Sequence, residues 1–131
     1  MLTITSFFAA VLALIYIKLS INVIILRRKY NVVSGYGKHK DLDQAIRAHA
    51  NFNEYVPIGL ILLACLEINR IPSVIIFAFG SFFLVGRYLH AKSFLKNEVD
   101  IQLRVKGTKA TFWSLTLMAG LNLLALIVSF L

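Results

Sequence analysis

The chain has 131 residues, 59% of them hydrophobic and 15% charged, with a formal net charge of +8 and a mean hydropathy of +0.78. Soluble domains run about 45–50% apolar, so this balance excludes an ordinary water-soluble globule. The positive charge would suit nucleic acid. Here it is gathered into two segments between apolar blocks, so it reads as membrane topology and attraction to anionic headgroups, with no nucleic-acid partner.

The first apolar block runs from about Leu2 to Leu26, broken by Lys18, Asn22 and a few hydroxyls. It lacks a basic n-region and exceeds the usual ~7–15-residue h-region, so it reads as a retained helix and not as a cleaved signal peptide. Lys18 and Asn22, four apart, either line the bundle interior, pair with Glu54 or hydrogen-bond along their own helix. After this span come Ser34-Gly35-Tyr36-Gly37, a turn signal, and Asp41-Leu42-Asp43-Gln44, which resembles a capping box. Span two therefore starts near Leu42 and ends near Glu67, with Pro57 expected to kink it or to loosen the backbone bond to Asn53. The single Cys65 has no partner for an internal disulfide and reads as a small core or lipid-facing residue. A short turn, Ile68–Arg70, leads to Pro72 at the first turn of span three, Ile71–Leu89. Span four covers about Ala110–Leu131, with Trp113 as an interfacial anchor. Gly80, Ser81 and Gly86, and then Ala119-Gly120, are expected at close helix contacts. A helix crossing the hydrocarbon needs about 20 residues, and all four segments qualify once the polar start of span two is included.

The expected fold is thus an all-α membrane protein, one domain over residues 1–131, with four transmembrane helices in an up-down bundle. Segment 27–47 holds Arg27, Arg28, Lys29, Lys38, Lys40 and Arg47, and segment 87–109 holds six more Lys/Arg, whereas Glu67–Ser73 holds only Arg70. Basic loops stay cytoplasmic, which puts both termini on the outer side of an integral multi-pass membrane protein. The absence of an ER-retention tail and the compact length point to a bacterial inner membrane.

The chemistry-bearing residues cluster at the basic ends of these spans. Arg47, Asn51 and Glu54 fall within about 60° of one another on a helix, with Tyr55 at the edge of the stripe. Intramembrane ionisable groups are costly and mark functional sites by default. The plain alternative is an ion pair between Arg47 and Glu54 that fixes helix register. His49 and Asn53 point elsewhere. In span three Arg87, His90 and Phe94 share a face, although Arg87 snorkelling to headgroups is the simpler alternative. Lys92 points away from that face, towards solvent or lipid phosphate. Arg104 lies just ahead of span four, where a lone arginine is ordinarily a positive-inside residue. Several arginines, one carboxylate and one amide at one end suit an anionic ligand that also carries an ammonium group. His39, His49 and His90 are scattered without matching Cys or Asp, so no metal site is expected. No catalytic triad or phosphate loop is visible. The phenylalanine-rich patches read as packing or lipid-facing residues.

Arg47-Ala-His-Ala-Asn51-Phe-Asn-Glu54-Tyr55-Val-Pro57 resembles the signature Arg-x-x-x-Asn-x-x-Glu-Tyr-x-Pro of the MAPEG family, the membrane-associated proteins in eicosanoid and glutathione metabolism. All five fixed positions are present. The resemblance extends to Arg27-Arg28, Arg87-x-x-His90 and Arg104, and so covers essentially the whole chain. It implies a homotrimer of four-helix subunits, with glutathione held as co-substrate between subunits near the cytoplasmic face. By the same resemblance, Arg47, Asn51, Glu54 and Tyr55 would bind the tripeptide, with help from Arg27, His49, Arg87 and His90. Arg104 would activate the thiol, since a neighbouring guanidinium favours the attacking thiolate. A lipophilic electrophile would arrive from the bilayer. Phe94 departs from the pattern, standing where active relatives often carry a tyrosine, and His90 stands where some carry another. The loop from Leu95 to Leu103 also varies in length among members. The family includes a non-enzymatic lipid-binding member.

Three functional classes follow. The first is a glutathione-dependent transferase or peroxidase acting on lipophilic electrophiles. The second is a non-catalytic lipid-binding or scaffold protein of the same fold, which Phe94 favours. The third, a small transporter or proton relay using Glu54, His49 and Lys18, ranks last because the four short helices show no repeat symmetry.

Overall fold

A computed structural model describes residues 1–94 and 98–130, and all regular structure in it is helical: α1 (Thr3–Tyr30), α2 (Lys40–Ile68), α3 (Ser73–Lys92) and α4 (Ile101–Ser129). Each helix is long and apolar enough to cross a membrane. α3 packs most extensively on α4, and α1 on α2; α2 and α3 join the two pairs, while the backbones of α1 and α4 do not approach each other among the described residues. The core between them is a ladder of interdigitated side chains, including Phe8, Leu12, Phe52, Leu63, Phe83 and Met118. Two glycines make room for it. Phe8 lies against Gly80 and Phe83 against Gly59, so closely that an added Cβ would meet either ring well inside contact distance. Outward-facing residues such as Leu14, Ile17, Ile61, Phe77 and Leu124 are exposed, as a lipid-facing surface requires.

The helix ends differ from the sequence expectation in instructive ways. α1 runs on to Tyr30 and stops at Asn31, whose φ of 54° sends its N–H back to the carbonyls of Arg27 and Arg28. α2 starts at Lys40 behind His39, so the expected capping box at Asp41 does not form. The Asp41 carboxylate instead accepts the Tyr30 hydroxyl at 2.6 Å, tying the α2 start to the α1 end, while Tyr30 stacks on His39 at 3.8 Å. α2 passes through Pro57 as one continuous helix. Pro72 takes the cap position of α3, one residue before its first turn. α4 begins nine residues earlier than hydropathy placed it, because the Asp100 side chain caps it by accepting the Leu103 N–H at 3.0 Å. Arg104, Lys106 and Lys109 therefore ride on a helix and not on a loop; residues 95–97 of the variable loop lie outside the described residues.

At the opposite end of the bundle, α1 has no capping side chain of its own. Glu67, near the end of α2, supplies one. Its carboxylate accepts the N–H of Ile4 (2.9 Å), the N–H of Thr5 (2.8 Å) and the Thr5 hydroxyl (2.7 Å).

Candidate functional site

The stripe on α2 faces α3 and α4 at the end where α1 stops and α4 begins. There, Arg47, Ala50, Asn51 and Glu54 of α2, His90 of α3, Phe94 just beyond it, and Arg104 of α4 line one polar hollow of about 300 Å³. That volume is within the range of small-molecule sites.

Behind the hollow, Arg87 acts as a cross-brace. It is 1% exposed. Its Nε donates to the Thr111 hydroxyl of α4 at 2.9 Å, and its Nη1 donates to Asn51 Oδ1 of α2 at 3.0 Å and, more weakly, to the Asn51 carbonyl at 3.3 Å. Thr111 in turn donates to the Gly107 carbonyl. The Tyr55 ring lies against the guanidinium, with its centroid 5.0 Å from the guanidinium carbon, and also packs on Phe112 with ring centroids 5.7 Å apart. Arg87 therefore does not snorkel; one buried cation fastens three helices and fixes the orientation of the Asn51 amide.

The close approach of α3 and α4 that makes this brace possible rests on Gly86 and Gly107. A Cβ on Gly107 would lie 2.5 Å from the His90 nitrogen and 2.8 Å from the Gly86 carbonyl oxygen. Gly107 was not legible as a contact residue while its segment read as a loop. Once α4 starts at Ile101, the buried positions Gly107, Ala110, Thr111, Ser114 and Met118 form a stripe of helical period. Gly120, expected at a helix contact, faces open space.

The charged groups divide sharply. Arg47 does not pair with Glu54: its Nε donates to Asp43 Oδ2 at 2.9 Å, one turn back. Among the described residues, Glu54 has no ion pair or hydrogen bond. Arg104 meets no carboxylate there either; its guanidinium carbon stands 5.3 Å above the ring of Phe94. Phe94 is 6% exposed and packs on His90 with centroids 5.5 Å apart, so these two rings form the floor. An acid and a base thus face one space, from different helices, without neutralising each other.

Two residues implicated by the resemblance lie elsewhere. Arg27 donates to the carbonyls of Val32, Val33 and Gly35, bracing the first loop. His49 packs on Tyr16 of α1 with tilted rings 4.8 Å apart at their centroids, outside the hollow. Neither lines the hollow that Glu54 and Arg104 share. Lys18 also faces away from Glu54, into a groove between α1 and α3. Among the described residues, no group of three or more His, Cys, Asp or Glu could hold a metal ion.

The model of the MAPEG family matches residues 5–124 of this chain. The chain is similar to the inner membrane protein YecN of Escherichia coli, in strain K12 and in the O6:H1 strain. Each is 33% identical over 120 residues, spanning 92% of this chain and 90% of the relative.

Proposed function

The chain belongs to the MAPEG family, and on that premise we propose that it holds glutathione in the hollow between α2, α3 and α4 and directs its thiol at a lipophilic electrophile. It does so in a bacterial inner membrane. The observation that carries this reading is the pair of uncommitted opposite charges, Glu54 and Arg104, facing one space of about 300 Å³. Glutathione has an ammonium and two carboxylates. Glu54 would take the ammonium, and the Asn51 amide, fixed through its oxygen by Arg87, would offer its NH2 group. Arg104, held over Phe94, is the cation placed to favour the thiolate. Arg87 and Tyr55 position Asn51 rather than touch the ligand. A homotrimer would bring a neighbour's Arg27 and His49 towards a hollow that they do not line within one subunit.

Glutathione titration followed by thermal unfolding in detergent tests the binding. The wild type should be stabilised and Glu54→Ala should not. Conjugation of a chlorodinitrobenzene tests the chemistry. Arg104→Ala should lose turnover by roughly 10²-fold, the scale of one electrostatic stabiliser, with a smaller loss of binding. Normal turnover in that variant removes Arg104 from the mechanism.

The second reading, a non-catalytic lipid-binding protein, is favoured by one observation. The floor beneath Arg104 is an apolar, buried Phe94 that offers no hydroxyl to a thiol. Lipid binding without any glutathione-dependent stabilisation would establish it.

A further inference from the structure

On the opposite side of α3 from the hollow lies a second enclosed groove of about 260 Å³, between α1 and α3. Lys18 and Asn22 of α1 and Tyr88 and Lys92 of α3 line it, over an apolar floor that includes Ile15 and Leu19. Neither α1 nor α3 contains a single Asp or Glu. Two ammonium groups are thus brought to one groove whose walls hold nothing to neutralise them. Lys92 is partly supported by the Tyr88 ring, 5.8 Å from its centroid. Among the described residues, the Tyr88 hydroxyl and the Asn22 amide have no hydrogen-bond partner and Lys18 has no ion pair.

The depth of the groove identifies its ligand. α3 has 20 residues, about 30 Å at 1.5 Å per residue, which matches the hydrocarbon thickness, and Lys92 is its last. Lys18 and Asn22 of α1 line the same groove as Lys92, so the Lys18 ammonium reaches the level of the α3 end by extending its side chain. The exposed apolar surface of α1 at Leu14, Ile17 and Ile21 continues from the groove along the membrane. A free anion would satisfy the cations and waste the apolar floor; an acyl chain alone would do the reverse.

We propose that this groove is a binding site for an anionic phospholipid, its phosphate held by Lys18 and Lys92, with Tyr88 and Asn22 donating, and an acyl chain lying along α1. Basic pockets between helices at such a boundary suit anionic headgroups, and each basic residue there strengthens the attraction severalfold.

Native mass spectrometry of the protein in mild detergent with added phosphatidylglycerol, phosphatidylcholine or inorganic phosphate tests it. The wild type should retain phosphatidylglycerol in preference to phosphatidylcholine. The double variant Lys18→Gln/Lys92→Gln should weaken that binding by about 30-fold, and Lys18→Arg/Lys92→Arg should keep it. Arg28→Gln/Lys29→Gln, in the last turn of α1 and outside the groove, should leave it unchanged. Equal retention of both lipids, or an unaltered preference in the glutamine variant, overturns the proposal. So does full competition by inorganic phosphate, which would mark a free-anion site. A change in oligomeric mass with unchanged lipid preference overturns it as well, since the lysines would then contact a second copy. Glutathione-dependent stabilisation should be the same in all these variants, so this outcome is independent of the function proposed above.

Discussion

Replacing Arg87 separates a ligand contact from a brace. The side chain is buried, with two short hydrogen bonds to neighbouring helices, Thr111 at 2.9 Å and Asn51 at 3.0 Å, and a longer one at 3.3 Å. Interhelical hydrogen bonds in membranes contribute about 0.6–2 kcal/mol each, and those of a charged donor sit at the upper end. Two such bonds, with the packing against Tyr55 and the void left by truncation, put the cost of Arg87→Ala at about 3–5 kcal/mol. Arg87→Leu should cost less. It fills most of the space, it removes the burden of burying a cation, and Thr111 keeps its bond to the Gly107 carbonyl. Reversible unfolding in mixed micelles, followed by far-UV circular dichroism, gives both values. Glutathione titration of the same samples gives the functional arm. If Arg87 positions Asn51, both variants should weaken binding, and the Ala variant should also be markedly unstable. An Arg87→Ala protein of unchanged stability that has lost all glutathione binding would refute the brace and make Arg87 a direct contact.

The remaining predictions concern backbone approach and capping. Gly107→Ala should destabilise by about 1–3 kcal/mol, because the clashing atoms are backbone and α3 and α4 must separate. Gly120→Ala, in open space, should be neutral or stabilising by up to about 1 kcal/mol. The two unfolding curves, measured side by side, test the assigned contact, and equal effects would remove it. Glu67→Ala should cost about 0.5–2 kcal/mol and speed hydrogen exchange at Ile4 and Thr5, since the carboxylate is the cap that α1 lacks. Unchanged exchange at these amides would show that the first turn of α1 is held by something else.

The four spans were legible because crossing the hydrocarbon requires a long apolar run, which hydropathy detects directly. The helix ends were not, because turns that project beyond the hydrocarbon need no apolar residues. α4 from Ile101 to Lys109 is polar, yet it is started by Asp100 and sealed by Gly107. The late start expected for α4 hid Gly107, on which its close approach to α3 rests. The stripe Arg47-Asn51-Glu54 was legible as one face, since helical spacing alone places it there. What each residue does on that face was not. Periodicity says which side chains are neighbours on a helix; it cannot say that Arg47 is satisfied by Asp43 one turn back or that Asn51 is claimed by Arg87 from another helix.

Those two diversions decide the character of the site. Had Arg47 turned to Glu54, the hollow would hold a closed ion pair whose rupture any ligand would have to offset. Because Asp43 takes Arg47 and Arg87 takes only the oxygen of Asn51, Glu54 and Arg104 stay open towards one space. An uncommitted acid and base, placed by separate helices, give a zwitterionic ligand something to neutralise at each end. Neutralising Glu54 should therefore weaken glutathione binding while leaving the stability of the ligand-free fold nearly unchanged, because no hydrogen bond or ion pair is lost with it, only its longer-range attraction to Arg87. Destabilisation of the ligand-free protein by Glu54→Gln would contradict that assignment.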